Sequence, residues 1–237
     1  MSTQTARGPV SGYAPVITVD GPAGSGKTTL GRRLAVRLNL PLIDTGLFYR
    51  AVSVAVIQAG LPVSDQAGVE ALLEHFDVEI NTDPLLRAGW EIRLAGADVS
   101  RMARDPELAV TLATISRMPP VREKLLPLQR AWGGSGAVAV GRDCGTVIFP
   151  LAPVKFYLVA PEETRSLRRR QEIAARGVPV SDQLLQAEIG DRDALDAASS
   201  EMARDAILVD TSTRSADEVA EFALDVCRSR LPVKRSN

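Results

Sequence analysis

Gly21-Pro22-Ala23-Gly24-Ser25-Gly26-Lys27-Thr28 is a complete G-x-x-x-x-G-K-[ST] phosphate-binding loop. Its flanks are those the motif requires. The apolar run Val16-Ile17-Thr18-Val19 precedes it, and Leu30, Leu34 and Leu38 follow at helical spacing. A strand that turns through glycines into a helix N-terminus aims successive backbone N–H groups at an anion, in a field that favours negative charge. Gly21, Pro22, Ala23, Gly24, Ser25, Gly26, Lys27, Thr28 and Thr29 are the expected nucleotide-binding residues. Lys27 can reach the β- and γ-phosphates, and the Thr28 hydroxyl can ligate Mg2+. The expected ligand is a nucleoside triphosphate with Mg2+. The alternative is a glycine-rich turn that binds nothing.

Outward from the loop, apolar runs at 15–20, 137–140, 154–159 and 206–209 alternate with helical patterns at 27–38, 45–58, 161–176, 182–196 and 215–230. Such alternation implies right-handed βαβ units, an α/β fold with a parallel sheet core and helices on both faces. Between 63 and 118 the texture changes. A short helix at 66–75 precedes Asp77-Val78-Glu79-Ile80 and Trp90-Glu91-Ile92-Arg93-Leu94, two alternating segments joined through Pro84 and Gly89. They read as a small hairpin-bearing insert within one domain spanning 15–237. Helices at 105–117 and 120–131 then lead back to the sheet, the second entered through Pro119-Pro120. Residues 1–14, polar with Gly, Ser and Pro, read as a flexible tail.

With 237 residues, 45% of them hydrophobic, the chain can bury a sizeable core. A net charge of −1 gives no overall basic field, which speaks against nucleic-acid and membrane-surface partners. Cys144 and Cys227 lie far apart without metal-ligand spacing, which fits a reducing cytoplasm. No run of about 18 apolar residues is present to span a bilayer.

A phosphate loop names a nucleotide but leaves the second substrate open. Asp44-Thr45-Gly46-Leu47-Phe48-Tyr49-Arg50 offers a hydroxyl, a phenol and a guanidinium at a helix start, although Thr45 can equally be an N-cap. Ala137-Val138-Ala139-Val140 runs into Gly141-Arg142-Asp143-Cys144-Gly145-Thr146, at the strand end where open α/β sheets bind ligands. Arg142 and Asp143 can alternatively form an internal ion pair. Arg165, Arg168, Arg169 and Arg170 fall on one helical stretch and Arg176 follows, either as a solvated face or as an arginine-rich lid at 161–180. Mobile arginines on a closing lid neutralise a transferring phosphoryl group and exclude water.

In their order and spacing, Ile17 to Thr28, Asp44-Thr45-Gly46-(x)2-Tyr49-Arg50, Ala97-Asp98-Val99-Ser100, Pro120-Val121-Arg122, Gly141-Arg142-Asp143-(x)-Gly145-Thr146-Val147-(x)-Phe149-Pro150 and Arg192-Asp193-(x)2-Asp196 resemble the bacterial cytidylate kinases. The resemblance runs from about residue 15 to 230. It implies phosphoryl transfer from ATP, with Mg2+, to CMP or dCMP, by a monomer whose partners are small nucleotides. Thr45, Tyr49, Arg122 and Asp143 would line the acceptor site, with Arg122 and Asp143 at the cytosine edge. A carboxylate accepts from the cytosine 4-amino group and an arginine donates to N3 and O2, while uracil lacks that amino donor. Arg50 and Arg142 would hold the acceptor phosphate, and Arg192 and Asp196 would address its ribose or the transferring group. Lys27, Arg168 and Arg192 would stabilise the transition state. No general base is required, because the acceptor phosphate is already anionic. The insert would be the monophosphate-binding region of the bacterial members.

The chain departs from the family pattern at Ser199, where an arginine is expected three residues after Asp196, and at Ala113, where a serine is expected near the base. Arg204 is the nearest replacement for the missing arginine. These departures keep two other readings open: a kinase for another small acceptor, and an ATP-binding regulator without transfer activity. No Asn-Lys-x-Asp guanine-reading motif occurs. His75 reads as a capping or surface residue, Cys144 as a small buried one, and Trp90 and Trp132 as packing residues.

Overall fold

A computed structural model describes residues 15–83, 89–105, 107–175 and 201–231. β1 (Val16–Asp20), β2 (Leu42–Asp44), β6 (Ala137–Val140), β7 (Val154–Val159) and β8 (Ile207–Asp210) form one sheet in the order β2-β6-β1-β7-β8. Every pairing in it is parallel. The sheet order reverses direction between β1 and β6. Ligands enter doubly wound sheets at that crevice, beyond the strand C-termini. Here it holds the phosphate loop after β1 and Gly141-Arg142-Asp143 after β6.

The two faces of the sheet are covered differently. α1 (Lys27–Leu38) and α8 (Ala216–Arg230) cover the face made by Ile17, Val19, Val138, Val140, Val154, Phe156, Leu158 and Val209. α8 starts with a capping box in which Ser215 and Glu218 satisfy each other's backbone N–H. The other face, with Ile43, Ala137 and Ala139, meets α2 (Gly46–Gln58) and α6 (Pro119–Trp132). Phe48 and Trp132 pack edge to face there, with ring centroids 5.3 Å apart.

The insert carries α3 (Gln66–Glu74), β3 (Val78–Asn81), β4 (Glu91–Leu94), β5 (Ala97–Asp98), α4 (Ser100–Ala103) and α5 (Leu108–Ile115). The three strands make an antiparallel sheet in the order β3-β4-β5. Its core is continuous with the main one: Val69, Leu73, Ile80, Ile92, Leu112 and Ile115 belong to the same buried cluster as Leu47, Phe48 and Val121. The helix expected at 105–117 is shorter, because Asp105 accepts from Glu107 N at 2.9 Å and turns the chain, while α4 forms separately upstream. A third strand joins the expected hairpin. His75 is the C-cap of α3, and Trp90 lies under the Arg104 guanidinium, 3.8 Å from the ring centroid.

β7 leads into α7 (Glu162–Ala174), which carries Arg165, Arg168, Arg169 and Arg170. The helix expected at 182–196, with Arg192 and Asp196, and also Arg176 and Ser199, lie outside the described residues.

Candidate active site

The phosphate loop takes the form its glycines allow. Gly24 and Gly26 have φ of +71° and +96°, in the left-handed region that side chains rarely adopt, and Gly26 is the N-cap of α1. Lys27 Nζ folds over the loop and donates to the Pro22 carbonyl at 2.6 Å. Ser25 Oγ is buried without a hydrogen-bond partner among the described residues, a vacancy in polar satisfaction that suits a loop built around a polyanion. Thr28 is half-buried in the first turn of α1. These features fit a triphosphate and its Mg2+.

Two arginines of α7 hold the loop from outside. Arg165, only 7% exposed, donates to the Ala23 carbonyl at 3.1 Å and to the Ala160 carbonyl at 3.0 Å. At Gly24 an added Cβ would come within 2.8 Å of the Arg165 carbonyl oxygen, so only glycine permits this approach. Arg168 donates to Thr211 Oγ1 at 3.0 Å and to the Thr211 carbonyl at 2.6 Å, and Thr211 Oγ1 in turn lies 3.1 Å from the Ser25 carbonyl, to which it donates. These contacts engage the Ala23 and Ser25 carbonyls of the loop.

The residues expected at the acceptor gather beyond β6. Tyr49, Arg122, Glu123, Leu126, Gln129, Asp143, Val147 and Ile148 line a cleft of about 160 Å3. Arg122 Nη2 donates to Asp143 Oδ2, so the two cytosine-edge candidates are ion-paired across 21 residues of sequence. Asp143 is buried at 6% exposure, whereas Arg122 is half-buried, with Nη1 on the Ser116 carbonyl at 3.2 Å. Burial pushes the Tyr49 hydroxyl up to about 12, which keeps it a neutral phenol. Arg142 is half-buried beside Asp143.

Two expected acceptor residues stand apart from that cleft. Thr45 is buried at 3% exposure, and its hydroxyl donates to the Val140 carbonyl at 3.0 Å. It is the N-cap residue of α2 by position but makes no side-chain cap, and it ties the start of α2 to the end of β6. Arg50 donates to the Ala103 carbonyl at 2.7 Å. Arg204 is exposed, ahead of β8, next to Asp205, whose carboxylate pairs with Lys155 at 2.9 Å.

Asp20, Asp44 and Gln129 belong to the site without a role assigned from the sequence, and Arg165 joins them from the arginine cluster of α7. Asp20 ends β1 and accepts from the Cys144 and Gly145 backbone N–H groups. Asp44 ends β2, accepts from Gly46 N at 3.1 Å, and is acted on by the charges of Arg50, Lys27 and Arg32. Gln129 is 1% exposed and meets the Tyr49 hydroxyl. Its seven-residue spacing from Arg122 puts it on the same face of α6, a signal readable in advance. Arg165 carried no mark to separate it from its neighbours. Cys144 is fully buried, and burial raises its thiol well above the ordinary value, so it is an inert packing residue.

Comparison with known proteins agrees with this arrangement. The cytidylate kinase family model matches residues 17–229. A protein named cytidylate kinase from Syntrophotalea carbinolica is 40% identical over 224 residues, covering 92% of this chain and 94% of its own. Proteins of the same name from Shewanella loihica and Vibrio cholerae are each 38% identical, covering 94% of this chain and 98% and 100% of theirs. The chain belongs to the cytidylate kinase family.

Proposed function

We propose that the protein transfers the γ-phosphoryl group of ATP to CMP or dCMP, giving ADP and CDP or dCDP. The observation that carries this reading is the placement of Tyr49, Arg122 and Asp143 in one cleft beside the crevice that holds the phosphate loop. The Asp143 carboxylate would accept from the cytosine 4-amino group while Arg122 donates to the ring acceptors, and their pairing with each other holds both in place until the base arrives. Arg50 and Arg142 would take the acceptor phosphate, and Arg192 and Asp196 the ribose or the transferring group.

An acceptor phosphate oxygen would bond to the γ-phosphorus as the bond from that phosphorus to the bridging oxygen of ADP breaks. The acceptor oxygen is anionic from the start, so no side chain needs to remove a proton. Lys27 would follow the β- and γ-oxygens, with Arg168 and Arg192 meeting the charge that spreads over the transferring group. Thr28 would hold Mg2+, which would neutralise phosphate charge when bound. Gln129 would orient Tyr49 against the acceptor. Thr45 would serve by fixing the β6 to α2 junction, its hydroxyl being engaged with Val140.

No helix among the described residues is long and apolar enough to cross a membrane. The reading carries with it a cytoplasmic monomer acting on free nucleotides. ADP release with ATP and Mg2+ against CMP, dCMP, UMP, AMP and GMP tests it. Turnover with CMP or dCMP well above the others is expected, and turnover indifferent to the base overturns it.

A further inference from the structure

Asp20 and the pair Cys144-Gly145 are 124 and 125 residues apart in sequence and joined in space. Asp20 immediately precedes Gly21 of the phosphate loop, and Cys144 immediately follows Asp143 of the acceptor cleft. The Asp20 carboxylate accepts from Cys144 N at 2.9 Å through Oδ1 and from Gly145 N at 2.7 Å through Oδ2, each oxygen taking one backbone donor. It is 5% exposed.

The local structure is shaped around this contact. Cys144–Ile148 is a π-helical turn, in which Ile148 N donates to the Asp143 carbonyl at 3.2 Å and Phe149 N to the Cys144 carbonyl at 2.7 Å. Wide turns of this kind are rare and concentrate at functional sites. Gly145 allows the turn to lie against β1. An added Cβ there would stand 3.0 Å from Thr18 Oγ1, 3.2 Å from Lys155 Cδ and 3.3 Å from Asp20 Oδ2. Asp20 and Thr18 alternate with Ile17 and Val19 along β1, so the strand turns polar side chains toward Gly145 on one face of the sheet and apolar ones toward α1 on the other.

We propose that Asp20 is a positioning residue that couples the two substrate sites, by fastening the turn that carries Asp143 to the strand that carries the phosphate loop. In-line transfer requires the donor and acceptor phosphates to be held at a fixed separation, and small misplacement slows it steeply. Asp20 makes the two loops one body, so that ordering of the phosphate loop by ATP is felt at the residues that read the acceptor. The inference rests on the acceptor reading above for the identity of the second ligand, but not for the link itself.

Asp20→Asn keeps the shape and replaces one accepting oxygen by an amide that faces a backbone N–H. In the wild type, a non-hydrolysable ATP analogue with Mg2+ is expected to slow hydrogen exchange at the amides of 143–148. In Asp20→Asn the analogue still binds within about threefold of wild-type affinity, since the loop's own contacts remain. The slowing at 143–148 is lost, and KM for CMP rises about ten- to a hundredfold, as loss of hydrogen bonds to a charged acceptor implies. Gly145→Ala, which presses on the same contact from the other side, takes the same readings if Asp20→Asn fails to fold. A folded variant in which analogue binding still protects 143–148 as in the wild type overturns the link. So does a parallel loss of affinity for both nucleotides together with thermal stability, which would make Asp20 merely structural. If CMP gives no turnover in the wild type, the acceptor reading fails, and the exchange response still decides the link by itself.

Discussion

Arg168 holds Thr211 by both terminal nitrogens, and Thr211 passes the connection on to the carbonyl of Ser25 in the phosphate loop. An arginine expected on a lid is therefore docked, and it doubles as a brace for the donor site. Two variants separate these roles. Thr211→Val removes the hydroxyl that joins Arg168 to the Ser25 carbonyl and keeps the guanidinium, so KM for ATP rises about tenfold while kcat stays within about twofold. Arg168→Ala removes the charge as well, and kcat falls roughly ten- to a hundredfold. Steady-state kinetics of both check this. Equal kinetic effects would reduce Arg168 to a brace.

Asp143 sits buried against Arg122 in the acceptor cleft. Asp143→Asn keeps the size but lets the side chain donate as well as accept, so it can serve the uracil carbonyl in place of the cytosine amino group. The ratio of kcat/KM for CMP over UMP is expected to fall by about a hundredfold, with most of the change on CMP. Competition between the two acceptors in one reaction gives the ratio directly.

Ser199 stands where the family resemblance calls for an arginine of the acceptor-phosphate clamp. A charge-assisted contact of that kind contributes about 1.5–3 kcal/mol. Ser199→Arg is accordingly expected to raise kcat/KM for CMP by roughly tenfold or more. The exposed Arg204, beside the Lys155–Asp205 pair, is expected to be kinetically silent when changed to alanine.

Asp44 gives a dependence on pH. Its carboxyl is raised from 3.8, first by burial at the end of β2, with Arg50, Lys27 and Arg32 pulling the other way. The folded state thus holds this proton more tightly than the unfolded chain does. Its contribution to stability is most favourable below 3.8, is lost as pH climbs from there through the raised folded value, and stays unfavourable at neutrality. Asp44→Asn is expected to melt a few degrees higher than the wild type at neutral pH, with the gap closing as pH falls through that window, and to turn over more slowly. The comparison between two proteins cancels the exposed Asp98, Asp205, Asp210 and Glu218, whose pKa values are lowered and whose slopes run the other way. Calorimetry across pH measures the gap.

What could be read in the sequence were features carried by local pattern. The phosphate loop is specified by its glycines and the sheet by its apolar runs, while Tyr49, Arg122 and Asp143 come as acceptor candidates from the family resemblance of their motifs. The features that escaped depend on contacts between distant segments. β5 is two residues, too short for any alternation to show. The turn at Cys144–Ile148 follows no helical periodicity and is fastened by Asp20, far away in sequence. Asp20 and Asp44 each end a strand and look like ordinary boundary residues until the parallel register brings their strands beside the loop. Thr45 could be read as a ligand or a cap from its place before α2, whereas its hydroxyl bridges to β6.

Transfer of phosphate onto a cytidine nucleotide is followed by the fate of a label. ATP labelled at the γ-phosphate is incubated with Mg2+ and CMP, with the wild type and with Lys27→Ala, and the products are separated. Label is expected in CDP with the wild type, and at least a hundredfold less with Lys27→Ala, since Lys27 would follow the β- and γ-oxygens of the transferring group. Label appearing only as inorganic phosphate, or remaining in ATP whichever acceptor is supplied, would contradict it.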